Sequence, residues 1–218
     1  MRRLLLLLAL TAAASRLPAQ RAELTAFSGL SQVSDNDLGA YVGRPLRLEN
    51  GFRGGVRFAL NSDVLFGHEW AYGYERHDLD YRDSKAKATV HEASYNLVLH
   101  LTPRAGAIRP FVAAGVEVAA FRLNEKGPLE RLGNSTNLGV NFGGGLKIRM
   151  SRMAGLRLDI RDHLTGKPAF KALPPLDGRL HRIEYSGGVS IFLGLPRRSR
   201  APARGASRSS SPAVGSER

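Results

Sequence analysis

Hydrophobic and polar residues alternate with a period of two through most of the chain, and the alternation is interrupted at intervals. In residues 137–150, Leu138, Val140, Phe142, Leu146, Ile148 and Met150 share one parity, and Asn137, Asn141, Lys147 and Arg149 share the other. A period of two puts these sets on opposite faces of a β-strand. The pattern predicts more strands of the same kind. Residues 52–60 set Phe52, Val56, Phe58 and Leu60 against Arg53 and Arg57, and residues 64–77 set Val64, Phe66, Trp70, Tyr72 and Tyr74 against Gly67, Glu69, Gly73 and Glu75. Residues 88–101 place Tyr95, Leu97, Leu99 and Leu101 opposite Ser94, Asn96 and His100; residues 110–123 place Val112, Ala114, Val116, Val118 and Ala120 opposite Gly115 and Glu117. In residues 155–163, Leu156, Leu158 and Ile160 oppose Arg157, Asp159, Arg161 and His163, and in residues 182–193, Ile183, Tyr185, Val189, Ile191 and Leu193 oppose Glu184, Ser186 and Ser190. An eighth strand, residues 23–32, alternates too weakly to fix its facing.

The links between strands alternate in length. Residues 33–51, 78–87, 124–136 and 164–181 are long and polar, whereas Asn61-Ser62-Asp63, residues 103–107 and residues 151–154 are tight. An antiparallel barrel of the outer membrane is threaded this way, with short periplasmic turns and long outer loops. The expected fold is all-β: an eight-stranded antiparallel up-and-down transmembrane β-barrel over residues 22–194, with both termini on the periplasmic side.

The ends of the chain support an exported protein. Arg2 and Arg3 precede an apolar run from Leu4 to Ala14 and a small-residue stretch to Ala19, which reads as a signal peptide over residues 1–19 because the run is shorter than the ~20 residues a spanning helix needs. Cleavage is expected after Ala19 or Gln20, with Ala14 as the alternative. The sequence has no cysteine, which removes thiol chemistry, disulfides and Cys-ligated metals. Of the formal net charge of +13, Arg2, Arg3 and Arg16 carry +3 and residues 195–218 carry +5, so the barrel region keeps +5. No basic patch interleaved with stacking aromatics appears, and no nucleic-acid partner is expected. Residues 195–218, rich in Arg, Ser, Pro and Ala, have the composition of a disordered basic periplasmic tail.

Two facings are compatible with two-faced strands. A soluble lipocalin-like barrel would turn the apolar parity inward. Strand length, the alternating links and the glycines on the polar parity (Gly55, Gly67, Gly73, Gly115, Gly143, Gly145) favour the membrane barrel, since small interior residues make room for long charged neighbours. In a membrane the facing is forced, because Lys or Arg toward mid-depth lipid costs roughly 2–4 kcal/mol. The expected interior network is Arg53, Arg57, Glu69, Glu75, Glu117, Lys147, Arg149, Arg157, Asp159, Arg161 and Glu184. An eight-stranded lumen is just filled by side chains, so such a network is expected to plug it.

Arg109-Pro110-Phe111-Val112 leading to Ala114-Gly115-Val116, Gly143-Gly144-Gly145-Leu146, and Leu156-Arg157-Leu158-Asp159-Ile160-Arg161-Asp162 give the chain its likeness to a known family. Through these segments it resembles the outer-membrane protein A-like family of eight-stranded barrels, of the outer membrane protein beta-barrel type, over residues 22–194. The resemblance also implies an assembly signal in the last strand, with Tyr185, Gly188, Ile191 and Leu193 at its recurring positions. Two departures stand out: the signal ends in Leu193 in place of an aromatic, and the tail is too short for the peptidoglycan-binding domain of larger relatives.

Candidate chemistry changes this picture little. Some eight-stranded barrels are lipid A deacylases with a Ser-His-acid arrangement, but Asp162-His163-Leu164-Thr165-Gly166 lacks the Ser and Asn of that pattern, and His163 reads as a strand-end residue at the interface. His68, His77, His91, His100 and His181 show no paired ligand spacing. Asp35-Asn36-Asp37 and His77-Asp78-Leu79-Asp80 lack the glycine and distal glutamate of a calcium loop. Asn134-Ser135-Thr136 reads as loop polarity, and Trp70, Tyr72 and Tyr74 as a lipid-facing row. The expected function is a non-enzymatic structural or surface-interaction role in the bacterial outer membrane, with any ligand met by loops 33–51 and 164–181. A small porin-like channel and a lipid-modifying enzyme are the alternatives. Expected partners are outer-membrane lipids and lipopolysaccharide and the barrel assembly machinery; the barrel is expected to be monomeric, with no cofactor or metal.

Overall fold

Among the described residues, nine strands form one antiparallel sheet: Arg21–Ser34 (β1), Asp37–Tyr41 (β2), Arg44–Asn61 (β3), Phe66–Tyr81 (β4), Ser84–His100 (β5), Ile108–Leu123 (β6), Ser135–Arg149 (β7), Ala154–Gly166 (β8) and Arg179–Leu193 (β9). The structure is a computed structural model, and it describes residues 21–34, 36–41, 44–62, 65–81, 84–102, 106–123, 133–170 and 178–193. The signal peptide, the basic tail, Asp35, Val64 and most of loop 124–136 lie outside the described residues.

From β2 to β9 each strand pairs with its neighbour in sequence, and β1 closes the ring by pairing with β3 on one side and β9 on the other. β2 is a short flap folded on the outer end of β3, which leaves eight staves and a closed antiparallel barrel. Closure leaves none of the eight staves with an unpaired edge, which the bilayer core requires. The ring order places β5 diametrically opposite β9, β4 opposite β8, and β3 opposite β7.

The exterior is apolar. Leu24, Phe58, Trp70, Leu97, Val116, Phe142, Leu158 and Ile191 are among the large hydrophobic side chains exposed on the outward parity. This arrangement overturns the lipocalin-like alternative, which needs those residues inside. On β4 the outward row runs from Phe66 to Tyr74 before reaching Arg76; the ten residue steps from Phe66 to Arg76 on a strand tilted by about 40° rise roughly 25 Å, the height of a barrel's apolar band. Trp70, Tyr72 and Tyr74 lie in this row, where Trp70 stacks with His68 and meets Tyr95 at a tilt, and Tyr72 and Tyr74 meet His91.

Several expectations are corrected. The facing of the first strand, left open by its weak alternation, is resolved: Glu23, Thr25, Phe27 and Ser31 turn inward, and Leu24 and Leu30 turn outward. Residues 78–87 are not a long loop. β4 and β5 stay paired through Tyr81↔Ser84, because Leu79, Ala86 and Ala88 continue the inward parity while Asp78 and Lys87 face out. Within 33–51, β2 and the outer part of β3 are likewise strand, and Leu38, Leu46 and Leu48 point inward. These residues join Leu79, Val90, Ala119, Phe121, Phe170 and Leu180 in an apolar cluster that fills the outer end of the barrel. Their outward neighbours are polar because the strands have risen above the lipid, which made them look like loops. Asp37, from the Asp35-Asn36-Asp37 run, accepts a hydrogen bond from Gly39 N at 2.9 Å in the flap turn, where Gly39 takes a φ of 92°.

Candidate functional site: a charged lumen between two apolar layers

Below the outer apolar cluster the inward faces carry buried charge, and near the periplasmic end Val98, Phe111 and Ala113 form a second apolar cluster. The alternation that puts Leu and Val on lipid puts Arg and Glu inside, where each charge must find a partner or remain costly.

At the outer level Arg53 contacts Glu75 through Nη1, reaches Glu92 at 2.8 Å through Nη2, and holds Glu184 at 2.9 Å through Nε. Arg182 meets Glu75 at 2.6 Å and both Glu92 and Glu117 at 3.1 Å. His163 lies between them: Nδ1 is 2.7 Å from Glu117 and 3.2 Å from Glu92, and Nε2 is 3.1 Å from Glu184. His77 Nε2 adds a 2.7 Å contact to Glu75. At mid-depth Arg157 binds Glu69 at 2.5 Å and Asp159 at 2.8 Å, Arg161 binds Glu69 at 2.8 Å and Asp159 at 3.0 Å, and Arg57 spans Asp159 at 3.3 Å and Glu184. At the periplasmic level Lys147 Nζ donates to Glu23 at 2.6 Å and lies 3.5 Å from Asn61 Oδ1.

Inward phenylalanines support the cations. Arg57 lies 3.7 Å above the Phe27 ring centroid, Arg157 4.6 Å above Phe111, and Arg182 5.6 Å above Phe121, distances at which a ring face attracts a guanidinium. The inward glycines supply the space. A Cβ on Gly73 would stand 2.9 Å from Arg53 Nη2, so the guanidinium occupies the volume that residue leaves.

Ten of the expected interior residues, Arg53, Arg57, Glu69, Glu75, Glu117, Lys147, Arg157, Asp159, Arg161 and Glu184, are buried within the lumen. Arg149 is not: it has the inward parity but is exposed, one residue from the end of the alternating segment and opposite Gly155 at the periplasmic rim. Glu23, His77, Glu92, His163 and Arg182 join the network although the expected set omitted them. Parity alone would have found four of these, since His77 shares a face with Glu75, Glu92 with Asn96, His163 with Arg161, and Arg182 with Glu184. His163 is therefore not an interface residue but lies in the interior. Asp162, its neighbour, faces outward and bonds His181 Nδ1 at 2.8 Å, so the two do not act on a common substrate position. Thr165 is buried, and its Oγ1 has no hydrogen-bond partner among the described residues.

Glu92, Glu117 and His163 each bring a ligand atom within 4.8 Å of the others, close enough in principle to share a cation. Arg53 and Arg182 already hold those carboxylates, so the charge a metal would supply is present as guanidinium. The assembly-signal positions lie on β9, with Tyr185, Ile191 and Leu193 exposed toward lipid and Gly188 on the inward parity.

A closed antiparallel barrel with an apolar exterior and a charged interior is a transmembrane β-barrel of the bacterial outer membrane. The family model described as "Outer membrane protein beta-barrel domain" matches residues 4–184, and the chain belongs to that family. Among solved structures it is similar to Neisserial surface protein A (14% identity, TM-score 0.55, covering 78% of this chain and 96% of that one) and to OprG of Pseudomonas aeruginosa (13%, 0.51, 81% and 98%). It is also similar to the outer membrane protein AlkL (16%, 0.53, 81% and 92%). At these identities the likeness establishes the fold alone. Comparison with curated proteins found no match.

Proposed function

We infer that this barrel is a non-enzymatic outer-membrane protein, closed to solutes, that serves a structural or surface-interaction role through its outer face. The observation carrying this reading is the stacking in the lumen: an apolar cluster at the outer end, a lattice of ion pairs through the middle, and a second apolar cluster near the periplasm. Passage of a hydrated ion would require breaking ion pairs that span the barrel, and an unpaired buried charge costs several kcal/mol. The flap β2 and the outer parts of β3, β8 and β9 would carry the contacts to other molecules, and their composition does not name the ligand.

Planar-bilayer recording of the purified chain tests the closed lumen. The expected result is the absence of a steady single-channel current under voltages the bilayer tolerates. A large, steady conductance would overturn the closed-lumen reading and favour the porin-like one.

A further inference from the structure

Four outward residues on four adjacent strands form one continuous cross-strand row near the outer edge of the apolar band. Tyr185 on β9 is in register with Leu30 on β1, Leu30 with Phe52 on β3, and Phe52 with Arg76 on β4. With strands about 4.8 Å apart, the row is roughly 14 Å long. Gln32, Asn50 and Asp78 lie on its outer side, and together these residues line a groove of about 420 Å³ on the barrel's exterior. The groove sits where β3 carries an irregularity between Leu48 and Gly51, which interrupts regular pairing with β4.

Its composition is graded. Leu30, Phe52 and Tyr185 are among the exposed hydrophobics and present an apolar floor with two ring faces. The amide of Asn50 accepts from Val33 N at 2.9 Å through Oδ1, which leaves its NH₂ directed to other acceptors. Arg76 is exposed and makes no ion pair among the described residues, so its five donors are available at the point where the apolar rows end. Asp78 supplies an acceptor. An apolar floor, ring faces, mixed donors and acceptors and one free guanidinium, all at the outer interface, match a lipid whose headgroup is a phosphorylated sugar. Acyl chains would lie along Leu30 and Phe52, the sugar over Tyr185 with hydroxyls to Asn50, Gln32 and Asp78, and a phosphate on Arg76, where a bidentate charge-assisted pair forms.

We propose that this groove is a binding site for a phosphorylated glycolipid of the outer leaflet, with Arg76 as its phosphate ligand. The site selects for the sugar as well as the charge, and so prefers a phosphoglycolipid to a simple anionic phospholipid.

The test is native mass spectrometry of the full chain in detergent, titrated with bis-phosphorylated lipid A, dephosphorylated lipid A, phosphatidylglycerol and inorganic phosphate. Bis-phosphorylated lipid A should bind in one-to-one stoichiometry, dephosphorylated lipid A and phosphatidylglycerol about tenfold more weakly, and inorganic phosphate not measurably. Arg76→Gln should weaken the bis-phosphorylated lipid about tenfold and leave the dephosphorylated one unchanged. Arg122→Gln is the control: it changes the same charge two strands from Arg76, in the same row but outside the groove. It should leave binding within twofold. An Arg122→Gln loss equal to that of Arg76→Gln, equal binding of phosphatidylglycerol, or an Arg76→Gln protein that binds as well as the parent would each overturn the proposal. Because Arg76 is exposed and outside the lumen, its substitution should leave heat-modifiable gel mobility intact, and a folding defect would itself contradict the assignment.

Discussion

Arg182 on β9 places Nη2 3.1 Å from Glu92 Oε2 on β5, the stave diametrically opposite. The same relation recurs at two other levels: Arg157 on β8 reaches Glu69 on β4 at 2.5 Å, and Lys147 on β7 lies 3.5 Å from Asn61 on β3. With Arg161 on β8, which also reaches Glu69 at 2.8 Å, four cationic side chains thus span the full lumen, and each strut crosses to a stave that sequence-neighbour pairing alone would never bring near. Long, rigid guanidiniums suit this task, because the planar fork can bind one carboxylate across the barrel while a second carboxylate steadies it from its own strand. Asp159 does this for Arg157, two residues away on β8.

The Arg157 strut should prove strongly coupled to its partner. Both Arg157 and Glu69 are fully buried, at 0% exposure, so removing either leaves a buried charge short of a partner: without Arg157, Glu69 keeps Arg161, and without Glu69, Arg157 keeps Asp159. Arg157→Met and Glu69→Gln are each expected to lower the unfolding free energy by about 3–5 kcal/mol. The double variant should lose less than the sum of the two, because each single variant already breaks the shared Arg157–Glu69 contact. Urea unfolding of the four proteins in lipid vesicles measures the coupling, and strict additivity would mean that the pair does not act as a unit.

Opposite responses are expected from neighbouring positions on one strand. Leu158 is half exposed to lipid and Arg161, three residues on, is 2% exposed inside. Leu158→Arg should cost roughly 2–4 kcal/mol at mid-depth. The same arginine is already tolerated at 157 and 161, where carboxylates wait for it. Leu158→Arg unfolding in vesicles, compared with unfolding of the parent, checks the magnitude, and a cost near zero would displace β8 from the bilayer centre.

Most of the architecture was legible in the sequence because a strand's period of two is exact enough to separate lipid-facing Leu158 from lumenal Asp159 without any knowledge of neighbours. The limits of legibility were also physical. β1 was ambiguous because its inward face carries Phe27, an aromatic that belongs inside only once Arg57 is known to sit on its ring. The outer part of β3 and the outer ends of β4 and β5 read as loops because above the lipid the polarity inverts: Leu46, Leu48 and Leu79 fill the barrel while Arg47, Asp78 and Asp80 face outward. Which carboxylate meets which arginine was not legible at all, since Arg157 and Glu69 are 88 residues apart and their meeting depends on barrel closure and register. The groove at Arg76 escaped notice for the same reason, as its four row members come from strands that only the register aligns.

Two glycines on the strands that flank β8 should respond oppositely to enlargement. A Cβ on Gly145 would lie 2.0 Å from the carbonyl oxygen of Leu158 and 2.9 Å from the Phe111 ring, so backbone on a paired strand must move. On Gly187, outward on β9, the nearest atom would be Leu158 Cδ2 at 3.6 Å, an ordinary contact. Gly145→Ala is expected to destabilise the barrel by about 1–3 kcal/mol through overpacking, and Gly187→Ala to be neutral or slightly stabilising. Melting of the heat-modifiable band gives the comparison, and equal tolerance at both positions would mean that the β7–β8 contact is looser than its register implies.

His163 offers the sharpest separation between a lumenal strut and a catalytic group. Its ring is 2% exposed and enclosed by Glu92, Glu117 and Glu184, and the outer apolar cluster with Phe121, Phe170 and Leu180 stands between it and the cell surface. Among the described residues that cluster separates the imidazole from the outer leaflet's acyl chains, and Asp162, the acid beside it in sequence, faces the other way toward His181. His163→Ala should therefore leave the acylation pattern of lipid A in an expressing strain unchanged, read by mass spectrometry of the extracted lipid. It should at the same time lower stability by about 1–3 kcal/mol, because three carboxylates lose a hydrogen-bond donor. His163→Gln, which can still donate through its amide, should recover part of that loss. A lipid A species that disappears in both variants would assign His163 to catalysis and reverse the non-enzymatic reading.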